Sequence, residues 1–155
     1  MMRKEIVIDL DGTFTLPRVG ELEGFLTPLQ HSFVLAGLTP IIGWYFYYLK
    51  PNKEMVKWLE EISSEYWITM LTGRCPAFEY ITCRWLLENG IQRNSLIFKP
   101  LDVNDLQFKV EYARRHESRI ALMVDNMRHI RDGVAEIIGD RSVLWHDLIR
   151  PPAVL

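Results

Sequence analysis

Five short apolar runs, separated by helical patterns, limit what this chain can fold into. Ile6-Val7-Ile8 is β-branched and stops at Asp9, Asp11 and Gly12, which predicts a buried strand entering a loop. Residues 66–71 predict a second strand, stopped by Thr72-Gly73-Arg74. Leu96-Ile97-Phe98 before Lys99-Pro100 is a third, residues 119–124 a fourth, and Val143-Leu144-Trp145 a fifth. Pro51-Asn52 opens a helix with Met55, Val56, Leu59 and Ile62 on one face. Pro76 opens another, with Phe78, Ile81, Trp85 and Leu86 facing inward and Asn89-Gly90 at its end. Residues 105–116 place Phe108 and Tyr112 four apart. Residues 127–138 turn Ile130, Val134, Ile137 and Ile138 inward before Gly139. Such alternation implies a mainly parallel five-stranded sheet with helices on both faces, a three-layer α/β sandwich. Pro151-Pro152 marks a tail that cannot pair as a central strand.

The 155 residues suit a single domain over 1–155, with residues 14–50 as a flap or cap segment inserted after the first strand. With 48% hydrophobic and 25% charged residues, disorder over most of the chain is excluded. Eighteen basic against twenty acidic residues give a net charge of −2. No large basic surface follows, so no stable nucleic-acid complex is expected, while a local patch stays open. Two cysteines, Cys75 and Cys83, exclude a disulfide framework and read as small packing residues. The apolar run after Met1-Met2-Arg3-Lys4-Glu5 is too short for a secretory signal, which predicts a cytoplasmic protein.

Residues 24–49 contain no Asp, Glu, Lys or Arg, and that length could cross a bilayer. Pro28, Pro40, Gly37, Gly43, Gln30 and His31 argue against a spanning helix. A span would also leave the first strand and the rest of the sheet on opposite sides of the membrane. Three readings remain open. The segment is a cap in which Phe14, Trp44, Tyr45, Phe46 and Tyr47 exclude water, an interface forming a homo-oligomer, or an interfacial membrane contact.

In open parallel sheets, ligands sit beyond the carboxyl ends of the strands. Here those ends carry Asp9 and Asp11, Thr72, Lys99, and Asp125 with Asn126. Three carboxylates at one edge repel one another unless a cation intervenes. The candidate donors are oxygens without His or Cys, which favours Mg²⁺ over zinc or copper. His31, His116, His129 and His146 lack metal-ligand spacing. Taken alone, Asp-Leu-Asp-Gly could be a plain turn.

Residues 6–13, Ile-Val-Ile-Asp-Leu-Asp-Gly-Thr, resemble the first motif of the haloacid dehalogenase-like (HAD) hydrolases, an apolar strand followed by Asp-x-Asp-Gly-Thr. Thr72 before Gly-Arg is similar to the second motif, Lys109 to the third, and Asp125 after Ala121-Leu122-Met123-Val124 to the fourth. The resemblance covers residues 5–13 and 51–146. A looser one links residues 72–145, including Tyr80-Ile81-Thr82-Cys83-Arg84-Trp85, to the phosphatase module of polynucleotide kinase-phosphatases.

The first resemblance implies a Rossmann-type fold and a Mg²⁺-dependent phosphoric monoester hydrolase acting on a small phosphorylated substrate through an aspartyl-phosphate. Asp9 would then be nucleophile and metal ligand, and Asp11 the acid and base, with its backbone carbonyl on the metal. Asp125 and Asn126 would complete the metal set. Thr72 would hydrogen-bond the phosphoryl group and Lys109 would neutralise its charge. Gly12, Gly73, Arg74 and Lys99 would line the substrate. Asn126 departs from the Asp-Asp pair of many relatives, and Lys99 competes with Lys109 for the phosphate-binding role. The second resemblance implies an alternative, a nucleotidase or a phosphatase of nucleic-acid ends. Asn126 and the insertion also allow a non-catalytic binding or regulatory module.

Overall fold

The computed structural model describes residues 3–16, 37 and 39–149. Five strands form one parallel sheet: β1 (Glu5–Ile8), β2 (Trp67–Thr72), β3 (Ser95–Phe98), β4 (Ile120–Asp125) and β5 (Ser142–Leu144). The helices are α1 (Thr39–Tyr47), α2 (Lys53–Ile62), α3 (Glu79–Glu88), α4 (Asp105–His116), α5 (Arg128–Ile138) and α6 (Trp145–Ile149). The spatial order is β3-β2-β1-β4-β5. The chain steps from β1 outward through β2 to β3, then returns to the other side of β1 with β4 and β5. The direction therefore reverses between β1 and β4, and a crevice opens at their carboxyl ends.

Side chains alternate across β1, so it is buried on both faces. Ile6 and Ile8 join Met70, Met55, Leu59, Trp85 and Leu86 beneath α2 and α3. Val7 joins Leu71, Met123, Ala113, Ile130, Val134 and Ile138 beneath α4 and α5. Asn52 caps α2 by accepting from the Met55 N–H at 3.4 Å, and Asn104 caps α4 by accepting from the Gln107 N–H at 2.8 Å.

The insertion leaves and re-enters the domain at one point. Thr15 bridges Pro51 in antiparallel fashion, Leu16 N–H donates to the Lys50 carbonyl at 2.8 Å, and Asn52 Nδ2 donates to the Thr13 carbonyl at 3.0 Å. A closed neck of this kind lets a long excursion leave the sheet undisturbed. Of residues 24–49, only Gly37 and 39–49 are among the described residues, and they include α1. Its inner face, Ile42 and Phe46, packs with Leu49, Cys75 and Phe78, while Ile41, Trp44 and Tyr48 are exposed. Phe14, expected in a cap, lies wholly buried in the main core because its carbonyl and N–H hold the turn after β1 against α2. Among the described residues, no helix is long and apolar enough to cross a membrane.

Several boundaries move. The second and fourth strands run one residue later than expected, so Thr72 and Asp125 are themselves strand residues. The fifth strand is Ser142–Leu144, and Trp145 begins α6 instead of ending it. The turn at Pro76–Phe78 is 3₁₀ before α3 begins. The expected tail at Pro151-Pro152 lies outside the described residues.

Candidate active site

The reversal between β1 and β4 brings Asp9 and Asp125 to the two sides of one crevice. Asp9 N–H donates to the Val124 carbonyl at 2.9 Å, extending the β1–β4 ladder by one residue. Lys109 lies one turn into α4, on its buried face with Ala113. Its Nζ donates to Asp9 Oδ1 at 2.7 Å and Asp125 Oδ2 at 2.7 Å, and lies 3.2 Å from Asp105 Oδ2. Three N–H groups thus meet three carboxylates. The sequence had assigned cation duty at this edge to a metal, but Lys109 already supplies one positive charge. Three carboxylates on one ammonium still leave two negative charges.

Burial raises the Asp9 carboxyl well above the ordinary carboxylate range, Lys109 opposes that rise, and Asp125 and Asp105 reinforce it. Burial pushes the Lys109 ammonium down, yet Asp125, Asp9 and Asp105 together outweigh it and hold it well above the ordinary lysine range. Ionisation of Asp9 therefore leans on neighbouring positive charge, which the reference value of an isolated aspartate hides.

Asp11 is held differently. Arg74 Nε and Nη2 grip its two oxygens at 2.9 and 2.6 Å. Arg74 Nη1 donates to Thr82 Oγ1 at 2.9 Å, and the guanidinium lies 3.9 Å over the Phe46 ring. Arg74, read as a substrate contact, is fully buried, with its fork and its face already engaged by Asp11, Thr82 and Phe46. Thr72 is also fully buried, and its Oγ1 accepts from the Arg74 N–H at 3.1 Å, which leaves its own hydroxyl hydrogen to donate. Gly12 has φ +78°, a conformation that favours glycine, and its N–H donates to Thr15 Oγ1 at 2.8 Å. Gly73 sits so close to α4 that an added Cβ would lie 2.9 Å from Asp105 Oδ1. Lys99 is not brought to Asp9. Its Nζ donates to the Pro100 and Val103 carbonyls at 3.1 and 2.7 Å, closing its own loop.

Asn126 faces three oxygens: Asp9 Oδ2 at 3.2 Å, the Asp11 carbonyl at 3.2 Å and Asp125 Oδ1 at 3.3 Å. Hydrogen bonding requires its nitrogen, not its oxygen, to face them. The amide nitrogen thus marks a point where two carboxylates and a backbone carbonyl converge. Two carboxylates and a carbonyl beside one ammonium keep a surplus of one negative charge, and hard oxygens of this kind fit Mg²⁺, which needs few carboxylates and tolerates carbonyls. Among the described residues, no group of three or more His, Cys, Asp or Glu side chains is arranged to hold a metal, so any such site depends on the Asp11 carbonyl.

Four neighbours have roles at the site that the sequence did not give them. Asp105 was visible as an i,i+4 partner of Lys109. Thr13, whose Oγ1 donates to Asp9 Oδ2 at 3.3 Å, was within the first motif. Thr82 lay within the segment of the second resemblance without a role of its own, and the role of Phe46 beneath Arg74 carried no local signal.

No protein-family model matches the chain, and no curated protein is similar to it at a significant level. Solved structures are similar. Two chains from Pnkp1/Rnl/Hen1 complexes, one described as an RNA repair complex, superpose with TM-scores of 0.63 and 0.66 at 17% and 16% identity. Each match covers 89% of this chain, which spans only 40% and 44% of theirs. The haloacid dehalogenase-like family hydrolase SP0104 from Streptococcus pneumoniae gives a TM-score of 0.57 at 12% identity, over 87% of this chain and 81% of its own. The L-2-haloacid dehalogenase PA0810 gives 0.55 at 15%, over 89% and 82%. At such identities the likeness concerns architecture, and in architecture this chain is haloacid dehalogenase-like.

Proposed function

We propose that the chain is a Mg²⁺-dependent phosphomonoesterase that works through an aspartyl-phosphate on Asp9. The observation that carries this reading is the position of Asp9 at the sheet reversal, between the Lys109 ammonium and the Asn126 amide. Asp9 would attack phosphorus, forming an Asp9–phosphorus bond as the ester P–O bond breaks. Lys109 holds positive charge beside the transferring group, and Thr72 has a hydroxyl hydrogen to donate there. Asp11 would pass a proton to the leaving alkoxide and later take one from the hydrolytic water. Both oxygens of Asp11 are gripped by Arg74, so one arm of that fork must open before Asp11 holds a proton. Water would then displace Asp9 from phosphorus and release inorganic phosphate. Asp9, the Asp11 carbonyl and Asp125 would hold Mg²⁺, with Asn126 turning its amide oxygen inward in place of its nitrogen, and the ion would screen the repulsion between nucleophile and phosphate dianion.

A second reading, a phosphatase of nucleic-acid ends, is favoured by one observation: the Pnkp1/Rnl/Hen1 chains superpose with higher TM-scores than either haloacid dehalogenase-like protein. Phosphate release from an aryl phosphate, with and without Mg²⁺, tests the first reading, and 3′-phosphorylated oligonucleotides test the second. Turnover should require Mg²⁺ and disappear in Asp9→Asn. No turnover across a broad phosphomonoester panel would refute both and favour a binding module.

A further inference from the structure

The two edges of the sheet differ in character. Aspartates gather at the carboxyl ends, and arginines gather at the amino ends. Arg3 precedes β1, Arg119 precedes β4, Trp67 opens β2 and Asn94 precedes β3. The ladder sets Glu5 opposite both Trp67 and Ile120, so these residues share one edge. Arg3, Trp67, Asn94 and Arg119 line an open cavity of about 430 Å³, within the size range of small-molecule sites. A second cavity of about 370 Å³ has Arg114, Arg115, Glu117, Ser118 and Arg141 in its wall.

The cations of the second cavity are occupied. Arg114 and Arg115 pair with Glu111 at 2.9 and 2.8 Å, and Arg141 donates to the Glu117, Ile120 and Ile138 carbonyls. Those of the first are less engaged. Arg3 is exposed and forms no ion pair among the described residues. Arg119 lies 3.6 Å from buried Glu5 Oε2, close enough to be steered but too far to use up its N–H donors. Trp67 Nε1 donates to Ser95 Oγ at 3.3 Å, which fixes an indole that is 40% exposed. Asn94 accepts from the Ile68 N–H through Oδ1 at 2.7 Å, leaving its amide nitrogen to donate.

Two forked cations, a fixed aromatic plate and an amide donor in one cavity match a phosphate attached to a planar base. Guanidinium groups bind phosphate bidentately, and an indole stacks on any base. An apolar ligand would strand both charges. We propose that the amino edge of the sheet binds a nucleotide unit, free or within a single strand. This surface is a strand length away from Asp9, roughly 13–20 Å for strands of four to six residues, and is independent of turnover.

The test uses the whole chain in chelator at low salt, with a labelled twelve-nucleotide thymidine strand bearing hydroxyl ends, so that the probe is no phosphatase substrate. Fluorescence anisotropy should show binding that weakens with salt. The double variant Arg3→Ala/Arg119→Ala and the variant Trp67→Leu should each weaken it about tenfold or more, Trp67→Phe by less than about threefold, and Asp9→Asn not at all. Displacement of the strand by adenosine monophosphate, but not by inorganic phosphate, identifies a free nucleotide as sufficient. Binding of the strand alone identifies the polymer. Three results overturn the proposal: no binding at low salt, binding that survives both amino-edge variants, or binding lost only in Asp9→Asn.

Discussion

Lys109→Met removes the one ammonium from a buried cluster while keeping nearly the same side-chain length. In the wild type, Lys109 Nζ lies 2.7 Å from Asp9, 2.7 Å from Asp125 and 3.2 Å from Asp105. The side chains of Lys109, Asp9 and Asp125 are only 2%, 6% and 3% exposed, so water can replace little of what is lost. Breaking a buried pair by deleting one partner costs about 3–5 kcal/mol, because the remaining charge stays buried without compensation. Against a typical total of about 5–15 kcal/mol, this is a large fraction. For a chain of this size it corresponds to a fall in Tm of roughly 6–20 °C. The sign of the pH dependence follows from the same charges. Without the ammonium, the largest opposition to the effect of burial on Asp9 is gone, so a carboxyl takes up a proton more readily. Acidification should then narrow the gap between variant and wild type. Urea titrations at neutral pH and at mildly acidic pH measure both quantities. A loss below about 1 kcal/mol, or a gap that widens on acidification, would refute the buried cluster.

Arg74→Lys replaces a flat fork by a point charge, losing one arm on Asp11 and the stack on Phe46; it should cost about 2–3 kcal/mol in urea titration, although formal charge is conserved. Tyr112 donates to Glu5 Oε1 at 2.7 Å, and burial first, then the Glu5 hydrogen bond, raises its phenol above the ordinary value. That contribution is complete below the ordinary tyrosine range, near about pH 10, and is lost as pH rises through the higher folded value. Tyr112→Phe should therefore cost about 1 kcal/mol at pH 8, the half-exposed site being discounted for solvent, and clearly less in strongly alkaline melts. Asn126→Asp puts a third carboxylate against Asp9 and Asp125 where an amide now donates. In chelator it should melt below wild type, and added Mg²⁺ should raise its Tm by more than it raises that of wild type.

Chemistry acting within a few residues was legible beforehand. β-Branched runs of three to six residues had to become strands, and their alternation with amphipathic helices required parallel pairing with both faces covered. Glycine and aspartate after the first run had to form a turn at a carboxyl end, which located Asp9 and Asp11 without coordinates, and the ends of the second and fourth runs located Thr72 and Asp125. Boundaries shifted by a residue because ladder hydrogen bonds extend until a partner strand ends, and the partner is unknown from local sequence. The helix α1 was missed because its apolar residues show no single-face pattern: its inner side meets Phe78 and Cys75, and its outer side exposes Ile41, Trp44 and Tyr48.

Partnership across the chain was decided by tertiary structure. Lys109 reaches Asp9 across 100 residues and Asp125 across 16; the motif resemblance singled it out, but only the fold shows which carboxylates it pairs with. Arg74 looked like a ligand-binding arginine beside a catalytic turn. Only the fold, by laying Phe46 under it and turning Asp11 and Thr82 toward it, makes it internal. The physical reason is range: propensity and periodicity are set by neighbours along the chain, whereas the fate of a charge is set by which distant dipoles and charges burial brings within hydrogen-bonding distance.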